Sequence, residues 1–89
     1  MPEISLIIRH PAGLHARPAA LFVQTASRFV SDLQVSHGQR RANAKSILSV
    51  LTLGVNQGAA ITIRAEGSDA GQALAALQAL VENNFGETT

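Results

Sequence analysis

What this chain can become is decided first by a change of hydrophobic period within its first third. Residues 3–9, EISLIIR, set Ile4, Leu6 and Ile8 on one face and Ser5, Ile7 and Arg9 on the other, the period of a half-buried strand. Pro11 and Gly13 then interrupt the chain. From Ala16 to Val30 the apolar residues Ala19, Phe22, Val23, Ala26, Phe29 and Val30 recur at helical spacing. A strand that buries one face and a helix that buries one stripe need each other, so the two periods point to helices laid on a sheet.

The remaining pattern repeats this exchange. DLQVS, at 32–36, alternates Leu33 and Val35 with polar neighbours, and His37-Gly38 predicts a tight turn into RRANA, a short polar strand suited to a sheet edge. Lys45-Ser46 leads into ILSVLTL, a brief helix with Ser46 as its N-cap. GVNQGAA reads as a loop and AITIRAE as a strand with Ile61 and Ile63 inward. Ser68 or Asp69 caps a last helix whose stripe is Ala70, Leu74, Leu77 and Val81, and Asn83 to Thr89 reads as a frayed end. The order β-α-β-β-α-β-α predicts an α+β fold, an open-faced two-layer sandwich in which a four-stranded antiparallel sheet carries three helices on one face. At 89 residues, without linker or repeat, the chain is expected to form one domain over 1–89.

Composition removes several classes of function. A formal net charge of +1 gives no strong electrostatic reason to seek nucleic acid or an anionic membrane. The absence of cysteine excludes disulfide frameworks and thiolate chemistry and fits a reducing compartment. No apolar run approaches the roughly 20 residues of a membrane span, and MPEISLIIRH lacks the marks of a signal peptide, so the cytoplasm is the expected location. Arg40 and Arg41, on the edge strand, are expected to protect that edge. His10 and His37 are expected to be solvated loop residues, and the three histidines have no metal-site spacing.

Residues 13–20, GLHARPAA, carry the chemistry. His15 falls at the start of the first helix and Pro18 in its first turn, where a missing N–H costs little. A helix start offers unpaired N–H groups and the positive end of the dipole, which favours an anion and disfavours a protonated imidazole. An uncharged histidine there suits nucleophilic attack on a phosphoryl group. The product would lie over the N–H groups of Ala16 and Arg17, with the Arg17 guanidinium adding a charge-assisted contact. Gly13 allows a tight turn beside it. The plainer alternative is a histidine that simply begins a helix and an arginine that is simply solvated.

Two observations favour the chemical reading. If Val50 and Leu53 point inward, Ile47, Leu48 and Leu51 remain near the surface, and on the first helix Leu21 falls off the buried stripe beside Ala20 and Gln24. Such a patch reads either as a docking face or as residues packed together under a loop. The chain also has no GxxxxGK[ST] loop, no carboxylate pair at catalytic spacing and no ligand cluster, so neither a metal nor another cofactor is called for. A nucleophile without a substrate pocket fits a residue modified by other proteins.

GLHARPAA, followed by ANAKSIL and LTLGVNQGA, resembles the histidine-containing phosphocarrier HPr family of the bacterial phosphoenolpyruvate-dependent sugar phosphotransferase system, over essentially the whole chain. The resemblance implies that His15 accepts phosphate on Nδ1 from phosphorylated Enzyme I and passes it to IIA domains of sugar permeases. It implies that Arg17 holds the phosphoryl group, and that Ser46 is the serine marked in many bacteria by a dedicated kinase/phosphorylase. It also makes Ala20, Leu21, Gln24, Ile47, Leu48 and Leu51 the surface that receives both protein partners. Such a protein is a stoichiometric carrier and not an enzyme, and a monomer is expected. Many relatives carry lysines on these faces, where this chain has Gln24, Ser27 and Ser49 with Arg28 and Lys45 nearby.

Other functions compete with this one. A nitrogen-related paralogue would use the same histidine, although KSIL and LGVNQG look closer to the sugar-system form. A regulatory module acting only through Ser46 would have no need of His15. A nucleic-acid binder would need a stacking platform, whereas this chain has no tyrosine or tryptophan and its three phenylalanines lie on or after helices.

Overall fold

The computed structural model describes residues 2–86. The elements follow the expected order: β1 (Glu3–Ile7), α1 (Ala16–Ala26), β2 (Asp32–His37), β3 (Arg40–Asn43), α2 (Ile47–Leu51), β4 (Ala60–Glu66) and α3 (Ala70–Glu82), with a short 3-10 turn at Asn84–Gly86. The sheet order is β1-β4-β2-β3 and every neighbouring pair is antiparallel. Leu33, Val35, Ile61, Ile63 and Ala65 alternate inward, and the helices cover them with Phe22, Val50, Leu74 and Leu77. The other face stays open and polar. On it Ser5 Oγ lies 3.2 Å from Thr62 Oγ1, and Arg64 Nε pairs with Glu3 Oε1 at 3.2 Å. The fold is therefore the α+β open-faced sandwich, with the polar β3 at one edge.

Two sequence expectations fail at the end of α1, for one reason. The helix stops at Ala26, and Val30, assigned to the apolar stripe, is 77% exposed. Asp69, expected to cap α3, makes no side-chain bond to its own helix. Its carboxylate instead accepts the N–H groups of Val30 and Ser31, each at 3.0 Å, and the hydroxyl of the buried Ser31. The Ser31 hydroxyl foremost, and then the Val30 N–H, hold the Asp69 carboxyl below the usual carboxylate range. A carboxylate with three donors competes successfully with another helical turn, which fixes where the chain leaves α1 for β2.

The two histidines expected to be solvated are both engaged. His10 is buried: its Nδ1 accepts the Ala12 N–H at 3.0 Å, and its ring stands edge-on to Phe85 with centroids 5.9 Å apart. His37 is the last residue of β2, paired with Arg40 across Gly38-Gln39, and its Nδ1 lies 3.0 Å from the Leu53 carbonyl oxygen. Asn83 to Gly86 do not fray. Asn84 and Phe85 adopt φ of 54° and 56°, a turn that returns the Phe85 ring to the core. The rest of the expected frayed end, residues 87–89, lies outside the described residues, as does residue 1.

Candidate functional site

Pro11 and Gly13 end the first extended segment, and the chain then enters α1 through Leu14, whose side chain is fully buried. That anchor sets the next residue, the half-buried His15, as the N-cap of α1 with extended backbone. Its imidazole makes no capping bond to the helix. The Ala19 N–H reaches the His15 carbonyl at 3.4 Å and Pro18 has no N–H, so the N–H groups of the turn before it belong to Ala16 and Arg17. Ala16 has φ of 51°, a strained value for a residue with a Cβ. Buried Pro18 and Ala19 seat the turn on the core.

The loop after α2 lies directly against this turn. The Leu14 N–H donates to the Val55 carbonyl at 3.0 Å, and Gly13, with φ of 65°, sits so close beneath it that a Cβ would strike the Val55 oxygen and come within 2.8 Å of Asn56 Cα. His15 Nε2 is 3.4 Å from Asn56 Oδ1. The result is an imidazole on the residue that begins α1, with one ring nitrogen against an amide oxygen. Among the described residues no group of histidines and carboxylates is placed to hold a metal. No helix among them is long and apolar enough to cross a membrane.

Residues 2–83 match the family described as the PTS HPr component phosphorylation site. The chain belongs to the HPr family. Its fold superimposes on HPr from Thermoanaerobacter tengcongensis with a TM-score of 0.97 at 48% identity, covering 100% of both chains. Phosphocarrier protein HPr from Bacillus anthracis gives 0.87 at 45% identity, covering 90% of this chain and 95% of that one. Crh of Bacillus subtilis gives 0.74 at 42% identity, covering 93% and 95%. As an HPr-family protein the chain is a phosphocarrier of the phosphotransferase system.

The structure distributes the other expected site residues around the HPr helix start. Arg17 is exposed and lines a groove of about 410 Å³ between α1 and α3, with Leu21, Arg28, Leu80 and Phe85 also on its walls. Ser46 caps α2: its Oγ accepts the Ser49 N–H at 3.3 Å, and its carbonyl accepts the Val50 N–H at 3.0 Å. Leu48 is 75% exposed and Ile47 and Leu51 a little over a third, so the patch on α2 does not close under a loop. Gln24 is exposed. Ala20 is half-buried, and Leu21 packs partly onto the core instead of standing clear of it. The Lys45 head group is engaged, its Nζ donating to the Phe29 carbonyl at 2.7 Å.

Asn56 is the residue that sequence reasoning missed. Forty-one positions separate it from His15, and the only local hint was an exposed polar residue in a loop bounded by Gly54 and Gly58.

Proposed function

We propose that this chain accepts a phosphoryl group on His15 Nδ1 from phosphorylated Enzyme I and passes it to IIA domains of sugar permeases, acting in the cytoplasm as a single-domain monomer over residues 1–89. In each transfer the lone pair of Nδ1 attacks phosphorus while the bond to the departing donor breaks. The next acceptor then reverses that bond making, so the protein is consumed and regenerated in a relay. Ala16 and Arg17 N–H groups and the Arg17 guanidinium hold the charge of the bound phosphoryl group.

The observation that carries this reading is the position of His15. It occupies the N-cap of α1, yet its imidazole makes no capping bond to that helix and its Nε2 faces Asn56 Oδ1 instead. A residue present to cap the helix would use its side chain for that bond, as Ser46 does at α2. The exposed apolar residues Ile47, Leu48 and Leu51 support a protein partner in place of a small substrate.

The test is incubation with phosphoenolpyruvate, magnesium and purified Enzyme I, followed by intact mass and acid-lability measurements on wild type and His15→Ala. One acid-labile phosphate on wild type and none on the variant is the expected result. Absence of phosphate on wild type, with Enzyme I active on another carrier, rules the reading out. Transfer onward to nitrogen-type and not sugar-type IIA domains would assign the chain to the nitrogen-related branch.

A second reading has its own support. Ser46 begins α2 at the margin of the apolar patch, and the chain is 42% identical to Crh, named the Bacillus subtilis catabolite repression HPr. Phosphorylation of Ser46 by a serine kinase/phosphorylase would make the same face a regulatory signal.

A further inference from the structure

His15 and Asn56 meet through one pair of atoms, Nε2 and Oδ1, at 3.4 Å. An amide oxygen only accepts, so a hydrogen bond between this pair requires the proton of a neutral imidazole to sit on Nε2. The ring's lone pair is then on Nδ1. We propose that Asn56 is a positioning residue that holds His15 in the Nε2–H tautomer and keeps Nδ1 ready as the nucleophile. The inference rests on the phosphoryl-accepting role proposed for His15.

The loop that carries Asn56 is built to hold it still. Val55 is fully buried, and its carbonyl accepts the Leu14 N–H at 3.0 Å. The Asn56 carbonyl accepts the Ala59 N–H at 3.0 Å, Gln57 Nε2 donates to the Arg9 carbonyl at 3.1 Å, and the Gly58 N–H donates to the Ile8 carbonyl at 2.7 Å. Each residue from 55 to 58 is thus fastened to the chain on either side of the histidine loop or to its own turn. The missing Cβ of Gly13 lets the two loops come this close. The exposed Asn56 side chain therefore has a fixed base, and little ordering is required when it meets the ring.

The same contact serves the transfer step. As Nδ1 forms its bond to phosphorus and the donor's bond breaks, the ring gains positive charge while Nε2 keeps its proton. The Asn56 oxygen faces that charge through the N–H. When the phosphoryl group leaves, the electron pair of the breaking bond returns to Nδ1. No proton has to enter or leave the ring in either direction.

The first measurement is the nitrogen chemical shifts of the His15 ring in isotope-labelled protein, at a pH where the imidazole is neutral, for wild type, Asn56→Ala and Asn56→Asp. The Nε2–H to Nδ1–H ratio is expected to fall about threefold in Asn56→Ala and to recover in Asn56→Asp, which keeps an acceptor oxygen in place. An unchanged ratio in Asn56→Ala, or a rise, overturns the proposal. The second measurement is phosphorylation by Enzyme I. Asn56→Ala is expected to lower the rate at saturating Enzyme I about threefold without changing the half-saturating concentration, and a wild-type rate overturns the proposal. If wild type takes no phosphate at all, the carrier reading fails, and the ring spectra alone decide whether Asn56 sets the tautomer.

Discussion

Gly13 lies beneath the Val55 carbonyl with no room for a Cβ between them, and the Leu14 N–H bonds to that same oxygen. The contact joins the loop before α1 to the loop after α2. It places the histidine turn against Asn56, so a glycine required by backbone proximity is also a condition of the site.

Gly13→Ala is the direct test of this contact. The substitution meets a positive φ and a backbone atom that cannot swing aside, which together should cost about 2–3 kcal/mol. For a domain of this size that corresponds to a fall in Tm of roughly 10 °C or more. Thermal unfolding followed by circular dichroism measures it, and a Tm within about 2 °C of wild type would refute the packing described.

Ala16 predicts the opposite effect. Its φ of 51° places a Cβ in the left-handed region at the first residue of α1. Ala16→Gly removes that penalty but adds chain entropy to the unfolded state. Strain relief outweighs the added entropy, and a gain of about 0.5–1 kcal/mol is expected, seen as a Tm roughly 2–8 °C higher. Loss of stability on this substitution would mean that the turn is unstrained.

Asp69 sets the acid limb of stability. Its folded carboxyl is held low, chiefly by the Ser31 hydroxyl and then by the Val30 N–H, so the folded state binds this proton less readily than the unfolded chain. The stabilisation is fully present above the ordinary value of 3.8 and is lost as pH falls through the lowered folded value. Asp69→Asn should lower stability at neutral pH and flatten its decline in the acid range. Denaturant unfolding at a series of pH values checks both effects, and parallel curves for the two proteins would exclude the linkage.

The sequence-derived expectations worked best where one local rule faced no competitor. Ile61 and Ile63 alternate with polar residues along β4, Leu74 and Leu77 repeat along α3, and Ser46 stands where a short helix needs a cap. They failed where a partner distant in the chain took over. Val30 left the helical stripe because Asp69, 39 residues on, captured its N–H. Phe85 escaped the frayed end because two left-handed residues return it to His10. The His15 motif was legible because its residues are consecutive, whereas Asn56 carries no local mark of its proximity to the ring.

The regulatory role proposed for Ser46 is open to a test through its place as the cap of α2. Its Oγ accepts the Ser49 N–H, and a phosphate or an aspartate carboxylate at that helix start can accept the same donor. Ser46→Asp should therefore leave Tm nearly unchanged. The cost falls on the partner, which must bury a hydrated charge beside exposed Ile47 and Leu48. Phosphorylation of His15 by Enzyme I is expected to slow by about tenfold in Ser46→Asp. An unchanged rate would remove Ser46 from the docking surface.

The docking face proposed on α2 presents apolar side chains and little charge that could steer a partner. Lys45, the sole lysine of the sequence, is tied to the Phe29 carbonyl, and the exposed surface of α2 consists chiefly of Ile47, Leu48 and Leu51. Arg17 and Arg28 both border the groove on the α1–α3 side. An encounter driven by apolar contact is weakly screened, whereas one driven by several exposed cations loses rate steeply once the screening length falls below their spacing from the partner. The rate of phosphorylation by Enzyme I should accordingly fall by no more than roughly threefold between about 50 and about 500 mM salt. A lysine-rich homologue measured beside it should fall further. Stopped mixing with quantification of acid-labile phosphate gives both rates, and an equally steep decline in the two proteins would show that Arg17 and Arg28 steer the encounter as effectively as a lysine-rich face.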